Sequence, residues 1–222
     1  MSFRTAGFAL STLLWLVPAA QAQEYYGGPY RQDDRPVSWH VMGGLNQPVG
    51  STDDILQSGW NVGGGVTFRQ PRSPLALRLE IDYASNNATH SLIDQGQQVT
   101  GLQITGGWAD IWSATANVEL RMPITPHVSG YLIGGGGAYY TRISLTQYGY
   151  GYVCDPWWNY CYPASGDLIV AEHDDTEFGW NAGAGIAFRL ASGSTLFVEA
   201  RYNAVQMRQT FSYVPVVVGL RF

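Results

Sequence analysis

The feature that most constrains this chain is a stretch of 11 residues that occurs twice. Gly59–Arg69 reads GWNVGGGVTFR, and Gly179–Arg189 reads GWNAGAGIAFR, 120 positions later. In each copy, apolar residues alternate with small or polar residues. A period of two predicts a β-strand with one apolar and one polar face.

The ends of the repeated stretch indicate what its apolar face contacts. Trp60 and Phe68 bracket small aliphatic side chains in the first copy, and Trp180 and Phe188 do so in the second. Lipid-facing strands of outer-membrane barrels carry such aromatic girdles on both sides of a hydrocarbon band. Nine residues at ~3.3 Å each, tilted by about 40°, cover about 20–25 Å of that band.

The same alternation predicts six further strands, at about 37–46, 75–83, 112–122, 127–143, 196–203 and 214–222. The facing of the strand at 127–143 stays open, because Gly134 to Gly137 interrupt its pattern. Short turns at 70–74, 123–126 and 191–194 alternate with loops at 47–57, 85–109, 144–176 and 204–210. Outer-membrane barrels have such short periplasmic turns and longer extracellular loops. We therefore predict an all-β fold, an eight-stranded antiparallel up-and-down transmembrane β-barrel.

A second repeat lies beside the first. Leu79–Tyr83 (LEIDY) is echoed by Val198–Tyr202 (VEARY) at nearly the same offset. We expect the hairpin of strands two and three to recur as strands six and seven on the opposite side of the ring.

Alternation alone does not tell which face points outward, since a soluble lipocalin-like barrel would put its apolar face inside. Three observations favour the lipid-facing arrangement: aromatics gather at strand ends, the polar face is rich in small residues and paired charges, and the last strand ends on the in-phase aromatic Phe222. Soluble barrels have no need for this combination.

The N-terminal residues predict that the protein is exported across the inner membrane. Arg4, an apolar core and Ala20-Gln21-Ala22 form a signal peptide over 1–22, too short for a membrane helix. A flexible lead-in follows at 23–36, and the barrel domain covers 37–222. The chain has no Lys and a formal charge of −5. Nucleic acid is not an expected partner, because its binding requires a basic surface.

From about Val37 to Phe222 the chain resembles the small OmpA/OmpX-like outer-membrane β-barrel family of Gram-negative bacteria, which is porin-like in architecture. The motifs that carry the resemblance are the Gly-x-Gly-x-x-Phe-Arg strands, the Leu-Glu-x-x-Tyr strands and the terminal Val-Gly-Leu-Arg-Phe. The resemblance implies location in the outer membrane, contact with its lipid and lipopolysaccharide, and recognition by the barrel-assembly machinery through the strand ending at Phe222. Family members include adhesins and stability proteins, so no single activity is implied.

The inward face carries a set of opposite charges. An eight-stranded barrel is just wide enough for side chains to fill it, and buried charges must pair. We predict a salt-bridge core and keep a narrow small-solute pore as the alternative. The predicted members are Arg69, Arg78, Glu80, Glu119, Arg121, Arg189, Glu199 and Arg201.

The predicted loop 144–176 holds the only cysteines, Cys154 and Cys161, which we expect to form a disulfide in an oxidising compartment. Seven aromatics lie between Tyr148 and Tyr162. They indicate either an extracellular binding surface for a protein or glycan, or packing against neighbouring loops and lipid headgroups. The tentative binding patch is Tyr152, Trp157, Trp158, Tyr160 and Tyr162.

Catalysis is not expected. His127-Val128-Ser129 resembles the His-x-Ser-Asn motif of lipid A deacylases, but Gly130 replaces the Asn and the motif follows a short, periplasmic turn. We predict no enzyme, no cofactor and no metal site, although His173-Asp174-Asp175 leaves cation binding open. The expected role is structural or adhesion-like, with a pore or, less well supported, a lipid A-modifying enzyme as alternatives.

Overall fold

Each of the eight period-two segments forms a strand of one closed antiparallel barrel, which confirms the predicted fold class. The structure, a computed structural model, describes residues 35–70, 73–155, 157–206 and 210–222. The predicted signal peptide (1–22) and residues 23–34 of the lead-in lie outside this part of the chain. The strands are β1 (Val37–Pro48), β2 (Gly59–Arg69), β3 (Leu75–Asn87), β4 (Gly106–Pro123), β5 (Val128–Asp155), β6 (Tyr160–Arg189), β7 (Thr195–Val205) and β8 (Phe211–Arg221).

The barrel closes because the last strand returns to the first. β8 pairs with β1, and Trp39 and Phe222 exchange backbone hydrogen bonds of 3.0 and 2.9 Å at this seam. Every strand therefore has two neighbours within the ring. Closure satisfies the backbone groups at bilayer depth, which is the condition for crossing lipid with strands.

The apolar side chains point outward, as predicted. Trp39 and Ile81 are 61% and 63% exposed, whereas Arg78 and Glu119 on the opposite face are fully buried. The structure also settles the facing of β5, whose Tyr131 and Tyr139 point into the lumen.

Two glycines of β5 are required by the close approach of β4. A Cβ at Gly135 would lie 2.1 Å from the carbonyl oxygen of Ala116, and one at Gly137 would lie 2.0 Å from that of Ala114. No other residue fits at either position without moving β4.

The duplicated hairpins are equivalent in register as well as in sequence. Gly65 pairs with Glu80 between β2 and β3, and Gly185 pairs with Glu199 between β6 and β7. The two hairpins lie on opposite sides of the ring. The two glutamates therefore enter the lumen from opposite walls.

The predicted loop at 144–176 is wrong. β5 and β6 continue as a paired two-stranded ribbon to Asp155 and Tyr160, with one register shift at Leu145/Thr146. Beyond Thr146, the last residue of β5 that pairs with β4, the ribbon extends for roughly 30 Å at about 3.3 Å per residue. The described side chains of the ribbon beyond Thr146 are exposed or half-buried, so its sequence lacks the contrast between a lipid face and a lumen face that the barrel strands show.

The predicted loop at 85–109 is also wrong in part. β3 continues to Asn87, β4 begins at Gly106, and the helix α1 (His90–Thr100) lies between them. Gly101 ends the helix in the left-handed conformation at φ 69°, which favours glycine. The other loops are shorter than predicted, because β1 continues to Pro48 and β7 to Val205. No helix in the described part of the chain has the length and hydropathy needed to cross a membrane.

Candidate functional site

The lumen contains a charge network whose lower layer centres on Glu119. This fully buried carboxylate accepts hydrogen bonds from Arg69 at 3.1 Å, Arg121 at 2.9 Å and Arg221 at 2.8 Å. The strands bring these residues together at the short-turn end, where β2, β4 and β8 each point an arginine inward. One carboxylate thus holds three guanidinium groups, and a fourth, that of Arg78, lies 3.5 Å away.

The upper layer joins the two glutamates of the duplicated hairpins through Arg78 and Arg201. Arg78 donates hydrogen bonds to Glu199 at 2.7 Å and to Glu80. Arg201 donates to both carboxylate oxygens of Glu80, at 2.6 and 2.8 Å, and also to Glu199. Tyr131 donates to Glu199 at 2.7 Å. This layer crosses the lumen from wall to wall and ties β3, β5 and β7 together.

The structure thus brings together seven of the eight charged residues predicted for the interior. The eighth, Arg189, is half-buried at the turn end of β6, and its backbone N–H donates to His127 at 2.8 Å. Its membership of the network stays a prediction. Sequence reasoning missed His40, which lies 3.0 Å from Glu80, and Asn117, which donates to Glu80 at 2.7 Å. Both residues occupy inward-facing positions in the alternation of their strands, as Arg78 does, and this was the sequence signal that could have identified them.

The far end of the lumen is closed by apolar side chains. Above the network lies a cavity of about 30 Å³, lined in part by Asn61, Asp82 and Arg201, which suits one or two water molecules. Between this cavity and the long-connection end lies a buried cluster that we call the mouth cluster: Leu56, Ala84, Ala109, Ile111, Tyr139, Val205, Phe211 and Tyr213. Passage of a solute would require both the ion pairs and this cluster to separate.

The second candidate site is the ribbon of β5 and β6 beyond the barrel, residues 147–168, which we call the hairpin. Cys154 and Cys161 form a disulfide across it, as predicted. At the tip, the Asp155 side chain accepts backbone N–H bonds from Trp157 at 2.8 Å and Trp158 at 3.3 Å. These bonds hold the turn while both indole rings stay 91% and 82% exposed.

The five residues of the predicted patch do not share one face. Cross-strand pairing puts Tyr152 on the face of the disulfide, since Cys154 pairs with Cys161, whereas Tyr160 and Tyr162 lie on the other face. Tyr160 and Tyr162 stack at 6.5 Å between ring centroids, and Tyr148 and Tyr150 meet edge-on at 6.0 Å on the disulfide face. The hairpin therefore presents aromatic rings on two faces and at its tip.

The hairpin and the strand segments below it are acidic. No basic residue other than His173 lies between 143 and 178, a range that contains Asp155, Asp167, Glu172, Asp174, Asp175 and Glu177. Arg142, below this range, approaches Glu172 at 3.8 Å, and both side chains are nearly half exposed. No group of three or more metal-ligating side chains in the described ranges is arranged to hold an ion.

The His127–Ser129 pair does not form a catalytic arrangement. His127 is exposed in the short turn before β5, and Ser129 is buried on the inward face. The backbone N–H of His127 donates to the Thr125 hydroxyl at 3.3 Å. The pair lies at the short-turn end, opposite to the hairpin.

A family model agrees with this architecture. The model of the outer membrane protein beta-barrel domain matches residues 7–222. The chain belongs to this family. Membership indicates the outer membrane as the protein's location. No curated protein has a significant sequence match to the chain.

Solved structures show the same fold. The chain is similar to the crystal structure of Neisserial surface protein A, with 13% identity and a TM-score of 0.50 over 84% of this chain and 96% of that chain. It is also similar to a major outer membrane protein of Thermus thermophilus, with 10% identity and a TM-score of 0.53 over 84% and 98% of the two chains. These structures are outer-membrane proteins, and the similarity concerns the fold.

Proposed function

We propose that this outer-membrane barrel is a surface-interaction protein whose binding element is the aromatic hairpin. The observation that carries the proposal is the exposure of its rings: Tyr150 and Tyr152 along the ribbon and Trp157 and Trp158 at its tip are 76–91% exposed. Exposed apolar patches on water-facing elements are characteristic of binding surfaces. Tyr and Trp also dominate the energetics of most protein interfaces.

The architecture of the hairpin suits recognition. The disulfide and the Asp155 bonds restrict the tip before any partner arrives, which lowers the entropy lost on binding. Closing so short a segment contributes roughly 2–3 kcal/mol in the chain-entropy model. The barrel itself forms its ladder without these residues.

The charge of the hairpin narrows the class of partner. The hairpin contains Asp155 and Asp167, and four more carboxylates lie in β6 below it, up to residue 178, so a sulfated or phosphorylated polymer would be repelled. Aromatic rings bind the apolar faces of sugars and the side chains of Arg and Lys. The hairpin therefore fits a neutral glycan or a basic protein surface.

Other parts of the chain account for its location in the outer membrane. We propose that residues 1–22 direct export, that the strand ending at Phe222 is read by the assembly machinery, and that the exposed apolar belt contacts lipid and lipopolysaccharide. The pore alternative is less well supported, because the charge network and the mouth cluster occupy the lumen. The separation of His127 from the hairpin end gives no support to a lipid A-modifying enzyme.

The test is a binding assay with purified protein on immobilised neutral oligosaccharides, sulfated oligosaccharides and arginine-rich peptides. Trp157→Ala/Trp158→Ala should lower binding to the neutral or basic probe by about tenfold or more, since each buried ring contributes about 1–3 kcal/mol. The control is Val99→Ala, which trims an 86% exposed side chain on α1 outside the hairpin. Equal binding by the wild type, the double variant and the control would contradict the proposal.

A further inference from the structure

One edge of the hairpin has no neighbouring strand among the described residues. β4 pairs with β5 only as far as Thr146, and no described strand follows β5 on that side from Gln147 to Asp155. A free strand edge is a template for another strand. Native proteins usually protect such an edge with charges or proline, but Gln147–Cys154 contains neither.

The residues that point their main-chain groups at this edge can be identified. The Tyr148 N–H donates to the Thr105 hydroxyl at 2.9 Å, and the Thr146 carbonyl accepts from the Thr105 N–H at 2.8 Å. Both contacts lie on the β4 side. Consecutive residues of a strand direct their N–H and C=O to opposite sides, so every second residue faces the same edge. Tyr150 and Tyr152 therefore direct theirs to the same side as Tyr148, where no described strand follows.

The sequence of the edge is the same in both directions. Tyr148-Gly149-Tyr150-Gly151-Tyr152 is a palindrome. If two copies of this edge meet antiparallel about a two-fold axis at Tyr150, Tyr150 faces the partner's Tyr150 and Tyr148 faces the partner's Tyr152. Tyrosines then pair on one face and glycines on the other, and aromatic cross-strand pairs are stabilising.

We propose that the partner of this edge is a second copy of the chain in a facing membrane, joined by antiparallel pairing of the two β5 edges. The inference rests on the proposed function, because it requires the hairpin to be a recognition element outside the cell. Copies in one membrane share one orientation, so their β5 strands run in the same direction and their edges could meet only in parallel. Antiparallel pairing requires opposed membranes, and the contact is therefore a cell-to-cell or vesicle-to-vesicle one.

The opposite edge of the ribbon explains why β5 rather than β6 self-associates. β6 carries Glu172, Asp174 and Asp175 along its unpaired segment, and Pro163 lacks an N–H. Like charges disfavour self-pairing at this edge. The same carboxylates repel the approaching partner at low ionic strength, and salt screens that repulsion.

The experiment uses the full chain in phosphatidylcholine vesicles without lipopolysaccharide, with hairpin orientation checked by protease access from outside. Two vesicle populations carry donor and acceptor dyes, and energy transfer reports tethering. The wild type should tether vesicles, and tethering should rise with sodium chloride concentration. Absence of tethering by outward-facing wild-type protein at every salt concentration would overturn the proposal.

Proline substitutions on the two edges provide the matched variants. Tyr150→Pro removes an edge-directed N–H that the hairpin does not use, so the hairpin should persist and tethering should fall by about tenfold or more. Ser165 pairs with Tyr150 and faces the β6 edge, so Ser165→Pro should tether like the wild type. Tyr150→Ala separates loss of the ring from loss of the N–H and should retain more tethering than Tyr150→Pro. Equal tethering by both proline variants would overturn the proposal.

Failure of this inference is distinguishable from failure of the proposed function. Trp157→Ala/Trp158→Ala alters the tip and leaves the edge at Tyr150 intact. If the wild type binds the oligosaccharide or peptide probe and does not tether vesicles, the proposed function stands and the self-pairing is refuted. If it tethers vesicles through Tyr150 and binds no probe, the self-pairing stands and the hairpin's ligand is the chain itself.

Discussion

Removal of the charge on Glu119 should destabilise the barrel more than any exposed substitution of the same kind. The carboxylate is fully buried and accepts bonds from Arg69, Arg121 and Arg221 at 2.8–3.1 Å. Glu119→Gln keeps the volume, removes the charge and puts an amide NH₂ among guanidinium donors. Breaking a buried ion pair on one side costs about 3–5 kcal/mol, and we expect a loss of that size.

The matched control is Glu172→Gln. Glu172 lies 3.8 Å from Arg142, and the two side chains are 41% and 45% exposed. Such a pair contributes about 0–1 kcal/mol. Urea unfolding of the barrel in lipid vesicles, followed by tryptophan fluorescence, gives both free energies of unfolding.

A compensating variant tests the cause of the loss. If unpaired positive charge is responsible, Glu119→Gln/Arg121→Met should recover part of the stability, because one fewer guanidinium group is left without its partner. Equal losses for Glu119→Gln and Glu172→Gln would refute the reasoning that the lumen is a buried, charge-balanced core.

Three other predictions follow from the fold. Leu79 lies at the centre of the outward face of β3. Leu79→Arg should lower the free energy of unfolding in vesicles by about 2–4 kcal/mol, whereas Leu79→Ala should lower it by less than about 2 kcal/mol, because lipid fills the space. Equal losses would contradict the facing of the strands. The folded protein should migrate differently in SDS gels before and after boiling, because a closed ladder resists detergent; identical migration of inserted protein would contradict closure. Cys154→Ser/Cys161→Ser should keep this heat-modifiable migration but bind the oligosaccharide or peptide probe more weakly than the wild type, and undiminished binding would show that the disulfide does not organise the tip.

The barrel strands could be predicted because lipid and lumen impose opposite requirements on alternate residues. Trp60, Val62 and Phe68 face lipid while Thr67 faces the lumen, and this contrast is visible in the sequence. The nearly equal offset of the two repeats also predicted that the hairpin of β2 and β3 recurs as β6 and β7. The structure adds that their registers match, with Gly65 opposite Glu80 and Gly185 opposite Glu199.

The hairpin could not be predicted in this way, because water contacts both of its faces. Tyr148 to Tyr152 alternate with glycine, which is typical of loops as well as of strands, and the strand character comes from pairing with 163–167. The sequence also did not predict the helix α1. It is only 11 residues long and carries Gly96, which lets Ile104 and Leu145 approach it closely.

The sequence also could not show which lumen charges meet. Arg78 reaches Glu199 across the barrel, 121 positions away, and only closure of the ring brings them to 2.7 Å. Strand phase predicted that both point inward. The distance between them depends on the stagger of the strands, which no local pattern specifies.

The claim that the hairpin carries the function is tested most directly by deleting residues 148–162. Gln147 pairs with Leu168, so the deletion leaves 163–167 as a five-residue connection between residues that already face each other. Binding of the neutral oligosaccharide and arginine-rich peptide probes is then measured for cells that display equal amounts of heat-modifiable wild-type and shortened protein. The shortened barrel should assemble normally and lose the binding of the wild type; an assembled barrel that binds as the wild type does would contradict the account.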